Sequence, residues 1–182
     1  MNITTCRCLT PCLLAVIGAL NLTGCAPRHM PEESMVQNPE FDRELRRLLR
    51  FRVPVMSVDQ LRAVRDDVAL LDARSREEFD VSRIPGARFV GYDEFTPQAV
   101  RDIPLDATIV VYCSVGHRSE KIGRRLRDLG YRNVYNLYGS IFEWVNRGYE
   151  VVDSQENPVQ RVHTYDREWS QWVTNEEVAK IW

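Results

Sequence analysis

Cys113 is the residue of this 182-residue chain best placed to do chemistry. It follows the apolar run Ile109-Val110-Val111-Tyr112 and opens the segment Cys113-Ser114-Val115-Gly116-His117-Arg118. From Ser119 onward, Ile122, Leu126 and Leu129 mark a helical stripe that stops at Gly130. The pattern predicts a buried parallel strand, a short loop and a helix starting at Ser119. A thiol at that entrance sits in positive potential, because the first N–H groups of a helix are unpaired and its dipole favours an anion. Gly116 suits a tight turn whose amides point inward and where a side chain would obstruct.

Easy ionisation is not the main benefit of such a loop. A free thiol of pKa about 8.5 is roughly 3 % thiolate at pH 7, and one lowered to about 6.5 is roughly 75 %, yet weaker nucleophilicity leaves a net gain of only about threefold. The larger effects are that inward amides hold an anionic substrate and that a more acidic thiol departs more easily when a sulfur attached to it is removed. The segment suits a group that is received and passed on. Arg118 adds a cation for loop structure or anion binding. His117 is either a substrate-side donor that responds to pH or simply exposed.

The elements around this loop alternate. Val53–Met56 reads as a strand, and Ser57 with Gln60 forms a capping box for a helix through Leu61 and Val64. Val68–Leu71 is an apolar strand ending in Asp72, and Ser75 with Glu78 repeats the capping box. Arg88–Val90 forms a further short strand, Pro97–Asp102 a short helix, and Asn133–Leu137 the last parallel strand; Ser140 with Glu143 is expected to cap a final helix. Alternation of this kind predicts an α/β fold with a parallel sheet covered on both faces, ligands binding beyond the carboxyl ends of its strands. Asp72 and Cys113 both stand at such ends.

The motifs Asp72-Ala73-Arg74, Glu78-Phe79, Ile84-Pro85-Gly86-Ala87, the Cys113–Arg118 loop with Ser119, and Gly139 with Trp144 and Gly148 occur in an order that resembles a single-domain rhodanese, a sulfurtransferase. The resemblance covers roughly Phe51 to Val152. It implies a three-layer α/β/α fold around a mostly parallel sheet of about five strands. It also implies that Cys113 is the nucleophile. Its thiolate takes the outer sulfur of a donor such as thiosulfate, holds it as a persulfide, and yields it to a thiol or cyanide acceptor. Ser114, Val115, Gly116, His117, Arg118 and Ser119 would cradle that sulfur. Asp72 and Arg74 match the family's strand-end pair, Asp72 bonding to the loop and Arg74 pairing with Glu78 or Asp80. No cofactor is implied, and three scattered histidines lack metal-ligand spacing.

Two positions depart from the family pattern. Ser82-Arg83 stands where many relatives carry Gly-His, and Ser114 stands where many carry Arg directly after the catalytic Cys. Losing a cation at the pocket rim weakens binding of a dianion such as thiosulfate. Two rival functions share these features. A phosphatase or arsenate reductase on the same fold resembles Cys-x5-Arg, a wider loop than Cys113 to Arg118, and a catalytically quiet binding module would work through the chain's flanks.

Those flanks carry their own signals. Leu13–Leu20 is a short apolar region preceded by Arg7, as in an export signal, and Leu22-Thr23-Gly24-Cys25 resembles a bacterial lipobox, cut before an acylated Cys25. Of five cysteines, Cys6, Cys8 and Cys12 leave with the signal, so Cys113 is the only free thiol of the mature chain. The expected organisation is a signal peptide at 1–24, a lipidated tether and amphipathic helix at 25–50, a rhodanese-like domain at 51–152 and an aromatic helical extension at 153–182. Localisation follows as the bacterial envelope, facing the periplasm, with Ala26 after Cys25 leaning towards the outer membrane by resemblance. Ala26–Gln37 reads as a flexible tether, and Asn38-Pro39 starts a helix whose arginines face solvent. In the extension, Tyr165, Trp169, Trp172 and Val173 fall on one helical face that packs on the domain or docks a protein partner. A formal charge of −2 gives no electrostatic case for nucleic acid.

Overall fold

A computed structural model of the protein describes residues 29–182; the expected signal segment, the lipobox and Cys25 lie outside them. Its central sheet contains β1 (Val55–Met56), β2 (Ala69–Asp72), β3 (Arg88–Phe89), β4 (Thr108–Tyr112) and β5 (Asn133–Leu137). The strands are ordered β1-β5-β4-β2-β3 and every neighbouring pair is parallel. β4 is therefore central, and its apolar sequence follows from being covered twice. Val110 and Tyr112 enter one core with Phe41, Leu61 and Phe142, while Ile109 and Val111 enter a second with Val100, Ile122 and Leu126. That alternation is the two-residue period of a strand, and the two cores make a three-layer α/β/α molecule.

The helices are α1 (Pro39–Leu48), α2 (Val58–Val64), α3 (Arg76–Val81), α4 (His117–Asp128) and α5 (Ser140–Asn146). Asn38 caps α1, and Ser57 with Gln60 and Ser75 with Glu78 form both expected capping boxes. α4 begins at His117, earlier than the expected Ser119. Gly116 is its N-cap at φ 120°, and this left-handed step turns the chain from loop straight into helix. The expected cap at Ser140 is also corrected. Gly139 precedes α5 and Ser140 itself has φ 51°; its hydroxyl donates back to the Leu137 carbonyl at 3.0 Å. Among the described residues no helix is long and apolar enough to cross a membrane.

Both flanks differ from expectation. The described part of the tether is pinned down. The Arg46 guanidinium donates to the Pro31 and Glu33 carbonyls, Gln37 N–H donates to Glu143 at 3.0 Å, and Val36 is buried in the first core. The basic face of α1 is compensated by its own acids, through Arg46–Asp42, Arg43–Glu40 and Arg47–Glu44. The extension is not a helix. It forms β7 (Pro158–Val159), antiparallel to β6 (Val151–Val152), then β8 (Arg161–His163), parallel to β9 (Ala179–Ile181), with a 3₁₀ turn at Trp169–Trp172 between the last two. Tertiary contacts override the helical spacing. Asn146 accepts from the Thr174 and Asn175 N–H groups and donates to the Trp172 carbonyl, Val162 and Val173 are fully buried, and Trp172 stacks on Phe41 at 5.3 Å. Residues of both flanks thus pack in one core with the central domain.

Asp72 and Arg74 close the carboxyl end of β2 as a fully buried ion pair. Arg74 Nη2 donates to Asp72 Oδ2 at 2.7 Å and to the Ser82 carbonyl at 2.6 Å, so the expected pairing of Arg74 with Glu78 or Asp80 is replaced by one within the strand-end turn. The Asp72 carboxylate consequently braces Arg74 and does not bond to the Cys113 loop. Removing one partner leaves an uncompensated buried charge. Arg74→Ala is expected to cost about 3–5 kcal/mol in urea unfolding.

Candidate active site

Cys113 is the first residue beyond β4, and the carboxyl end of β2 lies beside it through the Asp72–Tyr112 register. The loop is clamped from below by the start of α5. Cys113 N–H donates to Ser140 Oγ at 3.2 Å, and the Cys113 and Ser114 carbonyls accept from the Ile141 and Phe142 N–H groups at 3.3 and 3.2 Å. The unusual backbone of Gly139 and Ser140 has this purpose. A Cβ on Gly139 would lie 2.7 Å from the Val36 and Glu143 side chains. From the side, Asn136 of β5 donates to the Gly116 carbonyl at 3.0 Å and accepts from Ser119 Oγ at 2.7 Å.

The Gly116 N–H points at Cys113 Sγ from 3.2 Å, and Ser119 Oγ lies 3.5 Å from the same sulfur. A serine hydroxyl has one proton. The Asn136 amide is oriented by its bond to Gly116, so that proton goes to its oxygen and the Ser119 hydroxyl contacts the sulfur only weakly. Burial pushes the Cys113 thiol up, but the Arg118 guanidinium and the hydrogen bonds from Ser119 and Gly116 outweigh it, and its pKa falls below the ordinary value. With the shared hydroxyl proton discounted, Arg118 and the two amides carry that stabilisation.

Arg118 has three of its five N–H donors already engaged. Its terminal nitrogens donate to Glu78 at 2.6 and 2.7 Å and to Ser114 Oγ at 2.8 Å, and Ser114 Oγ donates in turn to Glu78 at 2.8 Å. Glu78 is almost fully buried; burial pushes its carboxyl up, and Arg118 with the Ser75 N–H and Arg74 reverses this to about 2. Ser114, where many relatives carry Arg, therefore completes a network around one shared carboxylate. At the other departure, Arg83 packs over the Phe79 ring at 4.7 Å and pairs with Glu156, away from the sulfur.

A cavity of about 250 Å³ opens over the sulfur, lined by Cys113, Ser114, Val115, His117 and Arg118 together with Leu48 of α1 and Tyr165 and Trp169 of the extension. Only 1 % of Cys113 is exposed, so this cavity is its route to a substrate. His117 is half-buried, and burial with Lys121 depresses its pKa, which favours the neutral imidazole. A larger cleft of about 580 Å³, between α5 and the extension, has no Cys, Ser or His in its lining. No cluster of metal ligands occurs among the described residues. The structure thus gathers Cys113 and Ser114–Ser119 at one point and holds Asp72 and Arg74 behind it. Sequence reasoning missed Asn136, whose signal is an amide inside a parallel strand, reads Ser140 only as a cap, and reads Glu78 as a cap and a partner of Arg74 rather than of Arg118. Nothing local ties Leu48, Tyr165 or Trp169 to the Cys113 loop, although Tyr165 and Trp169 read as a packing or docking face.

The folded pKa of Glu78 lies below its ordinary 4.5, so its stabilisation is present above that value and is lost as pH falls towards 2. The contribution is on the order of 3 kcal/mol. In urea unfolding, the stability difference between the wild-type chain and Glu78→Gln is expected to narrow as pH drops from about 5 to about 2. A difference that stays constant over that range would show that the pair contributes no such linkage.

The model of the rhodanese-like domain family matches residues 57–147. A sulfurtransferase of Allochromatium vinosum is 34% identical over 96 residues, 53% of this chain and 89% of that protein. A tRNA uridine(34) hydroxylase of Pectobacterium carotovorum is 33% identical over 99 residues, 50% of this chain but only 28% of its relative. Among solved structures, a thiosulfate sulfurtransferase from Pseudomonas aeruginosa aligns with TM-score 0.52 at 20% identity, over 66% of this chain and 23% of that one. A Bacillus halodurans protein aligns with TM-score 0.53 at 19% identity, over 64% and 88%; both likenesses are of fold. A five-stranded parallel sheet, a cysteine at the end of its central strand and a family match spanning the loop place this chain among the rhodanese-like domains, a sulfurtransferase family.

Proposed function

We propose that the protein moves a sulfane sulfur from a donor such as thiosulfate to a thiol or cyanide acceptor through a persulfide on Cys113. The observation that carries this reading is the sulfur itself, held 3.2 Å from an inward amide at the start of α4 and facing a cavity. The Cys113 thiolate attacks the outer sulfur of thiosulfate. A sulfur–sulfur bond forms to Cys113 as the one to the sulfonate breaks, and sulfite leaves with that electron pair. The terminal persulfide sulfur then occupies the amide-lined loop, where backbone donors stabilise its charge. An acceptor thiolate or cyanide attacks that outer sulfur, the Cys113–sulfur bond breaks, and the depressed thiol pKa eases departure of the thiolate.

The phosphatase alternative is disfavoured on two counts. Only four residues separate Cys113 from Arg118, and the guanidinium that would clamp a phosphoryl group is committed to Glu78. A non-catalytic module would have no use for a depressed thiol under an open cavity. Incubation of the full-length chain, solubilised in mild detergent, with thiosulfate is expected to add one sulfur atom at Cys113 by intact mass, and Cys113→Ser to gain none. A chain that stays unmodified with any sulfane-sulfur donor would overturn the reading, and hydrolysis of an aryl phosphate would support the phosphatase.

We further propose that a lipid on Cys25 holds the domain in the bacterial envelope, facing the periplasm. The support is the apolar Leu13–Leu20 segment followed by Leu22-Thr23-Gly24-Cys25. Cys25→Ala is expected to shift the protein from the membrane to the soluble fraction; retention in the membrane would sink the lipid anchor.

A further inference from the structure

The walls of the cavity over Cys113 come from outside the family match. Leu48, Tyr165 and Trp169 all lie beyond residues 57–147, on the two flanks that fold back onto the domain. They add apolar surface to that of Val115. The only permanent cation in the lining is Arg118, and its terminal nitrogens are engaged by Glu78 and Ser114. The Tyr165 ring lies 5.3 Å from the same guanidinium, covering a further face of it. His117, the other basic group in the lining, is half-buried beside Lys121, which disfavours its charged form. A dianion entering this space is desolvated without meeting an uncommitted cation, whereas an apolar body gains by leaving water. At about 250 Å³, roughly eight times the share of one liquid water, the space suits a small organic molecule.

Building on the sulfurtransferase reading, we infer that Trp169, Tyr165 and Leu48 form a specificity wall that selects an organic sulfane-sulfur donor, one whose transferable sulfur is attached to an apolar or aromatic body, over inorganic thiosulfate. The sulfur-bearing end reaches Cys113 while the apolar body lies against Trp169 and Leu48. With a thiosulfonate, the Cys113 thiolate attacks the outer sulfur. The new bond forms to Cys113, the bond to the sulfonyl sulfur breaks, and its electron pair leaves on the sulfinate. Charge and atoms balance without an oxidant or a proton.

The test measures kcat/KM of the full-length chain in mild detergent with two donors, benzenethiosulfonate and thiosulfate, and compares variants. Sulfite and benzenesulfinate differ as leaving groups, so the diagnostic quantity is the change in donor preference rather than the wild-type preference alone. Trp169→Ala is expected to lower the preference for the aryl donor about tenfold, through a raised KM, with Trp169→Phe restoring most of it. Tyr165→Asn changes a residue that is 57% exposed and keeps a side chain tolerated at its φ of 70°, so it provides a variant that does not threaten the fold. It is expected to shift the preference in the same direction. Preferences within about twofold of wild type in both variants would overturn the specificity wall while leaving the sulfurtransferase intact. Failure of both donors to place sulfur on Cys113 would instead overturn the underlying reading, and the wall with it.

Discussion

A thiolate formed on a sulfur that is 1 % exposed cannot rely on water for its stabilisation, so fixed donors must replace it. Most of the structure around Cys113 follows from that requirement, because each donor has to be held by something else. The Gly116 amide is aimed by its left-handed backbone and by Asn136, which grips the Gly116 carbonyl. Asn136 is in turn fixed by the Ser119 hydroxyl, and its position in β5 is set by pairing with the central strand. The loop carbonyls are tied to the first amides of α5, which need the paired left-handed residues Gly139 and Ser140 to face them. A loop of six residues is thereby determined by β4, β5, α4 and α5 together, and none of these could shift alone without misdirecting an amide.

Charge is handled with the same economy. Arg118 supplies positive potential to the sulfur, but a guanidinium at this depth needs its own counter-charge, and Glu78 provides it. The field that reaches the sulfur is therefore that of a dipole, positive end inward, rather than that of a full cation. Such an arrangement depresses the thiol without creating a strong anion trap. Asp72 and Arg74 repeat the device one strand away, where the pair is fully buried and serves the turn between β2 and α3. Two cations approach the site, each with its carboxylate, so the replacement of Arg by Ser directly after Cys113 leaves no uncompensated charge in the loop.

The central domain was legible because its signals are local. Apolar runs mark β2 and β4, and the capping boxes at Ser57 and Ser75 mark α2 and α3 where the structure has them. The same rule failed at Ser140, where a capping residue three positions before Glu143 is instead a left-handed clamp. There the backbone is dictated by Gly139 and by contact with Val36, neither visible in the spacing. Tyr165, Trp169, Trp172 and Val173 fit a helical period, yet the buried valines at 162 and 173 and the Asn146 side chain draw the segment into strands and a 3₁₀ turn. The partner of Arg74 was misassigned for a related reason. Of the two candidates, Glu78 is claimed from a distance of 40 residues by Arg118.

The flanks change what the active site is. Phe41, Leu45, Trp172, Val162 and Val173 lie on the same core as Tyr112 and Val115, so the surface they cover would be a contiguous apolar face of the central domain if they were absent. Covering it is a stability requirement, and the segments that meet it also bring Leu48 and Trp169 to the cavity over the sulfur. Shape at the mouth of the loop is thus coupled to packing remote from it. Stacking of Phe41 on Trp172 fixes the 3₁₀ turn, the turn fixes Trp169, and Trp169 lines the cavity over Cys113. Chain outside the family match thus shapes the mouth of a family loop, because in a single small domain the same segments close the core and frame the cavity.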